Sequence, residues 1–494
     1  MCYRNKQAHH NMKIEMTVEN IDVRKTLDQA KKFLGSEKNL SPAFKSVIEL
    51  LLVIISLMFE RLTKNSSNSG KPPSTDPNRK KNKGKNKNKE NQKKPGGQNG
   101  HQGAHLSPVK NPDEIVTIKV KRRALPKGAI FKEVGFEARQ VINIKFSKIV
   151  TEYRAQILED ESGKRYIADF PSFLTQSVQY GTSVKSHSVY MSQFQLIPYR
   201  RIQDYFTNEL HLCISAGTLF NFNKDAYNRL EEFEQISKRK LESSKRVNAD
   251  ETGINIDGKT HWLHTACNDL WTHFFPHAKR GKEAMDDIGI IPNFRGVLCH
   301  DHLKAYYTYT SCAHSLCNAH HLRELQAVMD NNGHSWAKNM QDFLNETNTA
   351  VTEAGGSLDK KTADKYRIKY RNILLEGDKE SPPPVPDPKL KKRGRVKKEK
   401  HRNLLERLRD YEDDVLRFME NGDVPFTNNL GENDLRMTKV QQKISGCFRS
   451  MEGAKIFCRI RGYLLTCQKN GVTATEALNI LFTGKLPDFC YKTD

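Results

Sequence analysis

The chain has 494 residues, with 81 Lys and Arg against 58 Asp and Glu, a net charge of +23. That length exceeds one ordinary domain and predicts roughly two to four units. The charge favours a polyanionic partner, held less tightly as salt rises, and says nothing about fold. None of the 10 cysteines belongs to a Cys-x-x-Cys pair, so they are expected to be reduced thiols in a cytosolic protein. The start, Met-Cys-Tyr-Arg-Asn-Lys, lacks the apolar core of a signal peptide. The longest apolar run, 50–59, is short of the ~20 residues of a membrane span. A soluble protein with no membrane partner is expected.

In chain order, residues 14–63 read as helical. Ile48, Leu52, Ile55, Phe59 and Leu62 follow the a/d spacing of a coiled coil. A self-association helix, hence a homo-oligomer, and a buried amphipathic helix of one monomer account for that pattern equally well. Residues 64–110 form a basic linker with almost nothing to bury, and 79–94 hold nine Lys/Arg and one Glu. Such a stretch solvates itself and contacts phosphates. Residues 111–175 alternate in short runs, at 114–120 and 140–144, and predict a small β unit.

Residues 176–240 read as helices. Tyr199-Arg200-Arg201-Ile-Gln-Asp-Tyr-Phe, a short break and a second helix from Ser215 resemble a helix-turn-helix, a weak pattern shared with any helical hairpin. Arg200 and Arg201 are its candidate DNA contacts.

Residues 245–330 carry strands at 247–250, 261–267, 271–276, 296–300 and 313–316, with helices at 279–288 and 319–329. The turns Asp257-Gly258 and Asn268-Asp269 make the first three strands an antiparallel meander. Three antiparallel strands, helix, strand, helix, strand is the order of a ribonuclease-H-like α/β core. Residues 331–425 read as a helical insertion with a second basic block, nine Lys/Arg and one Glu in 389–402. Residues 426–485 return to helical periodicity and complete the core.

Three carboxylates suggest chemistry. Asp250 and Asp301 end apolar runs that the proposed sheet makes neighbours, and Glu432 opens a later helix. Singly, each has a plainer role: a turn at Asp250, a helix cap at Asp301, a capping box of Asn429 and Glu432. Together they suit two magnesium ions, which take few carboxylates and keep several waters. Two such ions catalyse in-line displacement at a phosphate. A rival cluster is Cys312-Ala-His314-Ser-Leu-Cys317-Asn-Ala-His320-His321. Its density suits zinc but its spacing is no standard finger, so core cysteines and helix-flanking histidines are expected instead.

These residues carry a resemblance. The chain is similar to bacterial DDE transposases of the insertion-sequence sixty-six family. The similarity runs through Asn65-Ser-Ser-Asn-Ser-Gly-Lys-Pro-Pro-Ser, Lys94-Pro-Gly-Gly-Gln-Asn-Gly-His-Gln-Gly, Val150-Thr-Glu-Tyr-Arg, Ala249-Asp-Glu-Thr and His300-Asp. It continues through Cys317-Asn-Ala-His320-His-Leu-Arg323-Glu-Leu, Asn428-Asn-Leu-Gly-Glu432-Asn-Asp-Leu-Arg436, Lys443-Ile-Ser-Gly-Cys-Phe-Arg449-Ser and Gly453-Ala-Lys. The last blocks and their order are highly specific.

The resemblance implies a catalytic triad of Asp250, Asp301 and Glu432 that holds two Mg²⁺ ions, with Mn²⁺ as a substitute. It also implies a ribonuclease-H-like core with an α-helical insertion before the glutamate. The implied activity is cleavage at element ends and joining to target DNA. The implied partners are double-stranded DNA, a second copy and accessory proteins of the same element, in a bacterial cytoplasm at the nucleoid. Arg436, Lys439, Lys443 and Arg449, on or just after the glutamate helix, are candidate phosphate contacts. Two features depart from the family. The cysteines of its zinc module are missing from 122–129 and 158–163, so no zinc is expected there. Asn433 stands where Arg is usual. A DNA-binding protein without catalysis, or a metal-dependent nuclease that cuts without joining, would share the charge and much of the pattern.

Overall fold

The computed structural model describes residues 17–18, 21–37, 39–69, 76, 106–121, 123, 125–384 and 398–492. Most of the basic linker, including 79–94, and residues 389–397 of the second basic block lie outside them. The described residues fall into two compact units. One draws on Met1–Lys80, Thr182–Leu196 and Phe222–Asp494, the other on Lys81–Gly181 and Ile197–Asn221.

The expected single helix near the start is broken. A two-residue antiparallel ladder, β1 (Thr17–Val18) with β2 (Ile21–Asp22), leads into α1 (Val23–Ser36). Then α2 (Pro42–Thr63) begins where Pro42 occupies the first turn and Ser41 accepts from the Phe44 N–H at 3.2 Å. Proline fits there because its missing N–H would be unbonded in any case. Of the five a/d positions, Ile48, Leu52 and Phe59 lie on the less exposed side of α2, while Ile55 and Leu62 are exposed, as are Val47, Leu50, Leu51, Val53, Ile54, Leu57 and Met58. By length and composition alone the stretch Pro42–Phe59 could cross a membrane, with a mean hydropathy of 2.0. The apolar run 50–59 is the C-terminal part of that longer stretch.

In the second unit, the small β unit reduces to one hairpin, β3 (Ile157–Glu159) with β4 (Arg165–Ile167). The runs at 114–120 and 140–144 are not strands. Their apolar residues Ile115, Ile118, Val141 and Ile144 are exposed. Alternation makes an apolar face, but a ladder also needs a partner strand and something to bury that face against.

Next come α3 (Thr182–Val189) in the first unit and α4 (Tyr199–Leu210) in the second. His211 ends α4 in a left-handed conformation. α5 (Ala216–Arg229) starts where Ser215 accepts from the Thr218 N–H at 3.0 Å. The helix–break–helix order is the one expected. Gln203 donates to Ile214 O at 2.9 Å and Tyr180 to Cys213 O at 2.6 Å, which fixes the break.

After α6 (Glu231–Glu242) the first unit builds its sheet: β5 (Arg246–Ile256), β6 (Lys259–Cys267) and β7 (Thr272–His277). Short helices α7 (Lys282–Ile288) and α8 (Ile290–Asn293) lead to β8 (Val297–His300) and β9 (Ala313–Leu316). The order is β7-β6-β5-β8-β9. The first three strands are antiparallel, and β8 runs parallel to both β5 and β9. The Asp257-Gly258 turn is the expected tight hairpin, both residues taking positive φ. β5 is longer than expected. Asp250 sits within it, because β6 pairs along its whole length while β8 pairs only with 246–248.

The insertion is helical as expected. After α9 (Asn318–Asn332) come α10 (Ser335–Glu353), α11 (Lys360–Glu380), α12 (Lys400–Asp410) and α13 (Glu412–Glu420). Its core joins the sheet: Cys299 and Leu316 share one cluster with Trp336, Phe343, Tyr370, Leu405 and Phe418. The chain closes with α14 (Asn429–Ser445), α15 (Met451–Lys469) and α16 (Ala474–Phe482). Leu435 of α14 and Phe457 of α15 pack with Ile254, Ile256, Leu263 and Phe274 in a second cluster. Phe448 extends β5, its N–H donating to Asn255 O and its carbonyl accepting from Asp257 N–H, both at 2.9 Å.

Candidate active site

Parallel register sets two of the carboxylates side by side. Asn248 stands opposite Cys299, so Asp250 and Asp301 are each two residues beyond that pair. Here β5 continues while β8 ends. Asp301 does not cap a helix: the Leu303 N–H donates to its backbone carbonyl at 2.7 Å, and the next turn is 3-10, at Tyr306–Thr308.

Glu432 lies in the first turn of α14, and no capping box forms there. Asn428 instead turns its side chain toward β5. It accepts from Asn248 Nδ2 and donates to Ala249 O, each at 2.8 Å. Both asparagines are buried. Gly431 faces β5 at this contact: a Cβ there would stand 3.4 Å from Asp250 Cβ, an ordinary packing distance. Lower on α14, buried Asp434 accepts from Lys469 Nζ and Thr272 Oγ1, each at 2.7 Å, which ties the helix to α15 and β7.

The three carboxylates are thus brought together. Burial pushes the Asp250 carboxyl well above its ordinary range, and Asp301, Glu251 and Glu432 add to the rise. The neighbouring Glu251 is committed elsewhere. It accepts from Arg280 at 2.7 and 3.0 Å and from the Tyr306 hydroxyl at 2.7 Å.

Two residues of the rival cluster join the site. Cys317 precedes α9, His320 lies in its first turn, and ligand atoms of Asp301, Cys317, His320 and Glu432 all lie within 4.8 Å of one another. His320 Nδ1 is 2.9 Å from Asp301 Oδ1 and 3.9 Å from Glu432 Oε1. Burial opposes charge on His320, but Asp301 and Cys317 outweigh it and hold its pKa up at about 10. Arg323, one turn further along α9, is 3.7 Å from Glu432. Glu432 Oε1 is buried without a hydrogen-bond partner, and Asp301 Oδ1 and His320 Nδ1, also buried, have only the 2.9 Å ion pair they make with each other. Two carboxylates, an imidazole and a thiol converging from the end of β8, α14 and the start of α9 are a donor set that a divalent cation would satisfy.

The rest of the cluster disperses. Cys312 is buried, His314 bonds His300 and Tyr309 O, and His321 bonds Asn318. Cys312 and Cys317 are buried and His320 and His321 stand at the start of α9, as expected, whereas His314 lies in β9; Cys317 and His320 in addition face the carboxylates. They are three positions apart across the start of a helix, a spacing that sets both at one end of one face.

Of the basic candidates, Lys439 is bonded to β5 and feels the charge of Asp250. Its ammonium donates to Gly253 O at 2.6 Å, and burial lowers its pKa against the pull of Asp250. Arg436, Lys443 and Arg449 are exposed on α14 and the segment after it. Arg200 and Arg201 are exposed in the first turn of α4, Arg200 being 3.4 Å from Asp204.

A family model described as "Transposase IS66 family" matches residues 177–456, which include every site residue above. A "Family of unknown function (DUF6444)" matches residues 8–107. A curated relative, "Uncharacterized protein y4jO" of Sinorhizobium fredii, is 37% identical over 70 residues, or 14% of this chain. The match spans 22% of that relative's length.

Proposed function

Since the chain belongs to the IS66 transposase family, we propose that it is a DNA transposase with a ribonuclease-H-like core and a DDE site at Asp250, Asp301 and Glu432. The observation that carries this reading is the convergence of those carboxylates from β5, the end of β8 and α14. The sheet order, three antiparallel strands followed by two parallel ones, supports the core assignment.

The three carboxylates would hold two Mg²⁺, or Mn²⁺ in its place, which when bound lower the pKa of an attacking hydroxyl and stabilise charge on the leaving oxygen. The chain's own residues do the positioning. Asn428 and Gly431 set Glu432 against Asp250. Arg280 and Tyr306 keep Glu251 engaged, so it does not compete for the site. Lys439 anchors α14 to β5, and Arg436, Lys443 and Arg449 grip phosphates beside it. Arg200 and Arg201 present a second basic surface on α4.

In cleavage, a water oxygen bonds to phosphorus and the 3′ oxygen leaves as a hydroxyl. In joining, that hydroxyl bonds to a target phosphorus and displaces another 3′ oxygen. With a net charge of +23, binding to element ends and target DNA weakens steeply with salt. The protein works as a homo-oligomer in the cytoplasm, on the nucleoid.

The test is a cleavage and joining assay on DNA carrying the element's ends, with wild type and Asp250→Asn in parallel. Joined products from the wild type alone, with equal DNA binding by both, support the reading. Equal cleavage by both proteins removes Asp250 from the reaction.

A further inference from the structure

We propose that Asp301, Cys317, His320 and Glu432 form a site for one thiophilic divalent ion, Zn²⁺ by its chemistry, and that this ion excludes the harder ions from the same carboxylates. The binding claim stands on the donor set. The exclusion claim rests on the functional reading above, in which Asp301 and Glu432 serve Mg²⁺.

Magnesium has no use for sulfur or imidazole, since its ligands are oxygens in near-octahedral array. A thiolate beside an imidazole selects zinc instead. One thiol, one imidazole and two carboxylates complete a four-coordinate shell. Zinc bonds of about 2.0–2.3 Å place tetrahedral neighbours ~3.3–3.7 Å apart. The four ligand atoms already lie within 4.8 Å of one another, so rotamer adjustments of flexible side chains close the shell without moving β8, α9 or α14.

Two further observations point to a ligand. Glu432 Oε1 is buried without a hydrogen-bond partner, and buried Asp301 Oδ1 and His320 Nδ1 have only their mutual 2.9 Å ion pair, which a metal bound by both would replace. Cys317 Sγ accepts from the Asn428 backbone N–H at 3.2 Å. Such an outer bond orients a metal-bound thiolate and stabilises its charge. Its donor is fixed in turn, because the Asn428 side chain is bonded to β5. A thiol that merely filled the core would not need to face two carboxylates.

Cobalt(II) reports this geometry directly. The reduced full-length protein, titrated with Co²⁺, is expected to show intense tetrahedral visible bands and a near-ultraviolet thiolate-to-cobalt band. Cys317→Ser should abolish the near-ultraviolet band. Cys213→Ser, at an exposed thiol, should leave it intact. His320→Asn should weaken Zn²⁺ binding at least ~100-fold, with thermal melting as the check on folding.

A weak octahedral spectrum from the wild type, or a band that survives Cys317→Ser, overturns the site. A second measurement needs no variant. Mn²⁺ bound to the wild type, followed by electron paramagnetic resonance, should be released by one equivalent of Zn²⁺, and retention overturns the exclusion. Failure of the transposase reading would look different: no joining with Mg²⁺ alone, whatever the cobalt spectrum.

Discussion

Asn428→Ala tests whether two amides hold the two halves of the site together. The substitution removes the acceptor of Asn248 Nδ2 and the donor to Ala249 O. Asn248 is fully buried, and its Oδ1 already lacks a partner. Truncation therefore strips that side chain of its hydrogen bonding. A buried group left unsatisfied costs ~1–3 kcal/mol, and two groups are affected, so a loss of about 2–4 kcal/mol is expected. Urea unfolding measures it.

A double-mutant cycle with Asn248→Ala should return a coupling of ~1 kcal/mol or more, as contacting residues in one network do. Below the melting range, joining should fall ~100-fold while DNA binding holds, because ~1 Å of misplacement at a reacting centre costs about that factor. A destabilisation under ~0.5 kcal/mol with joining unchanged would refute the argument. Glu432 would then owe its position to Leu435 and the Asp434–Lys469 pair.

Gly296→Ala should destabilise by about 1–3 kcal/mol, the usual cost of overpacking. The new Cβ would lie 2.3 Å from Lys245 O and 2.7 Å from the Phe294 ring. That carbonyl also accepts from the Val297 N–H at 2.8 Å, so relief of the clash breaks the start of the β5–β8 ladder. An unchanged urea midpoint would contradict this.

His273, in β7, governs part of the acid response. Burial, with Lys238 and Arg459 nearby, lowers its pKa to about 3, against ~6.5 in the unfolded chain. Between those values the unfolded chain binds the extra proton, so stability falls as pH drops below ~6.5, by ~1.4 kcal/mol per unit. His273→Leu should therefore gain about 2 kcal/mol on the wild type between pH 7 and pH 5. Parallel stability curves would exclude the mechanism.

The sheet was legible because its signals are local. Val297–His300 closes a short apolar run, Val-Leu-Cys, and Asp257-Gly258 is a hairpin turn by its residue types alone. The far half of β5 was missed because Asp-Glu-Thr-Gly interrupts the pattern, although buried Ile254 and Ile256 resume it. The site was legible in its carboxylates but not in what holds them. The sequence offers Asn429 and Glu432 as a capping box and gives Asn428 no role, and only the packing of α14 on β5 shows that the Asn428 side chain serves a strand. The alternating runs at 114–120 and 140–144 show the reverse failure. Their local pattern favours a strand, but a ladder depends on partners that no local pattern specifies.

The order in which the site's parts are synthesised also matters. Asp250 and Asp301 emerge on adjacent strands, but Glu432 follows Asp301 by roughly 130 residues. At ~5–20 residues per second this is a delay of about 6–26 s. Through that interval the nascent sheet has neither α14 nor α15 to cover Ile254, Leu263 and Phe274. Any chain that terminates inside the insertion carries two of the three carboxylates on an incompletely covered sheet. Such a fragment is a substrate for chaperones or proteases before it is a hazard to DNA. The late arrival of α14 thus means that the site is completed only after the whole insertion has been synthesised.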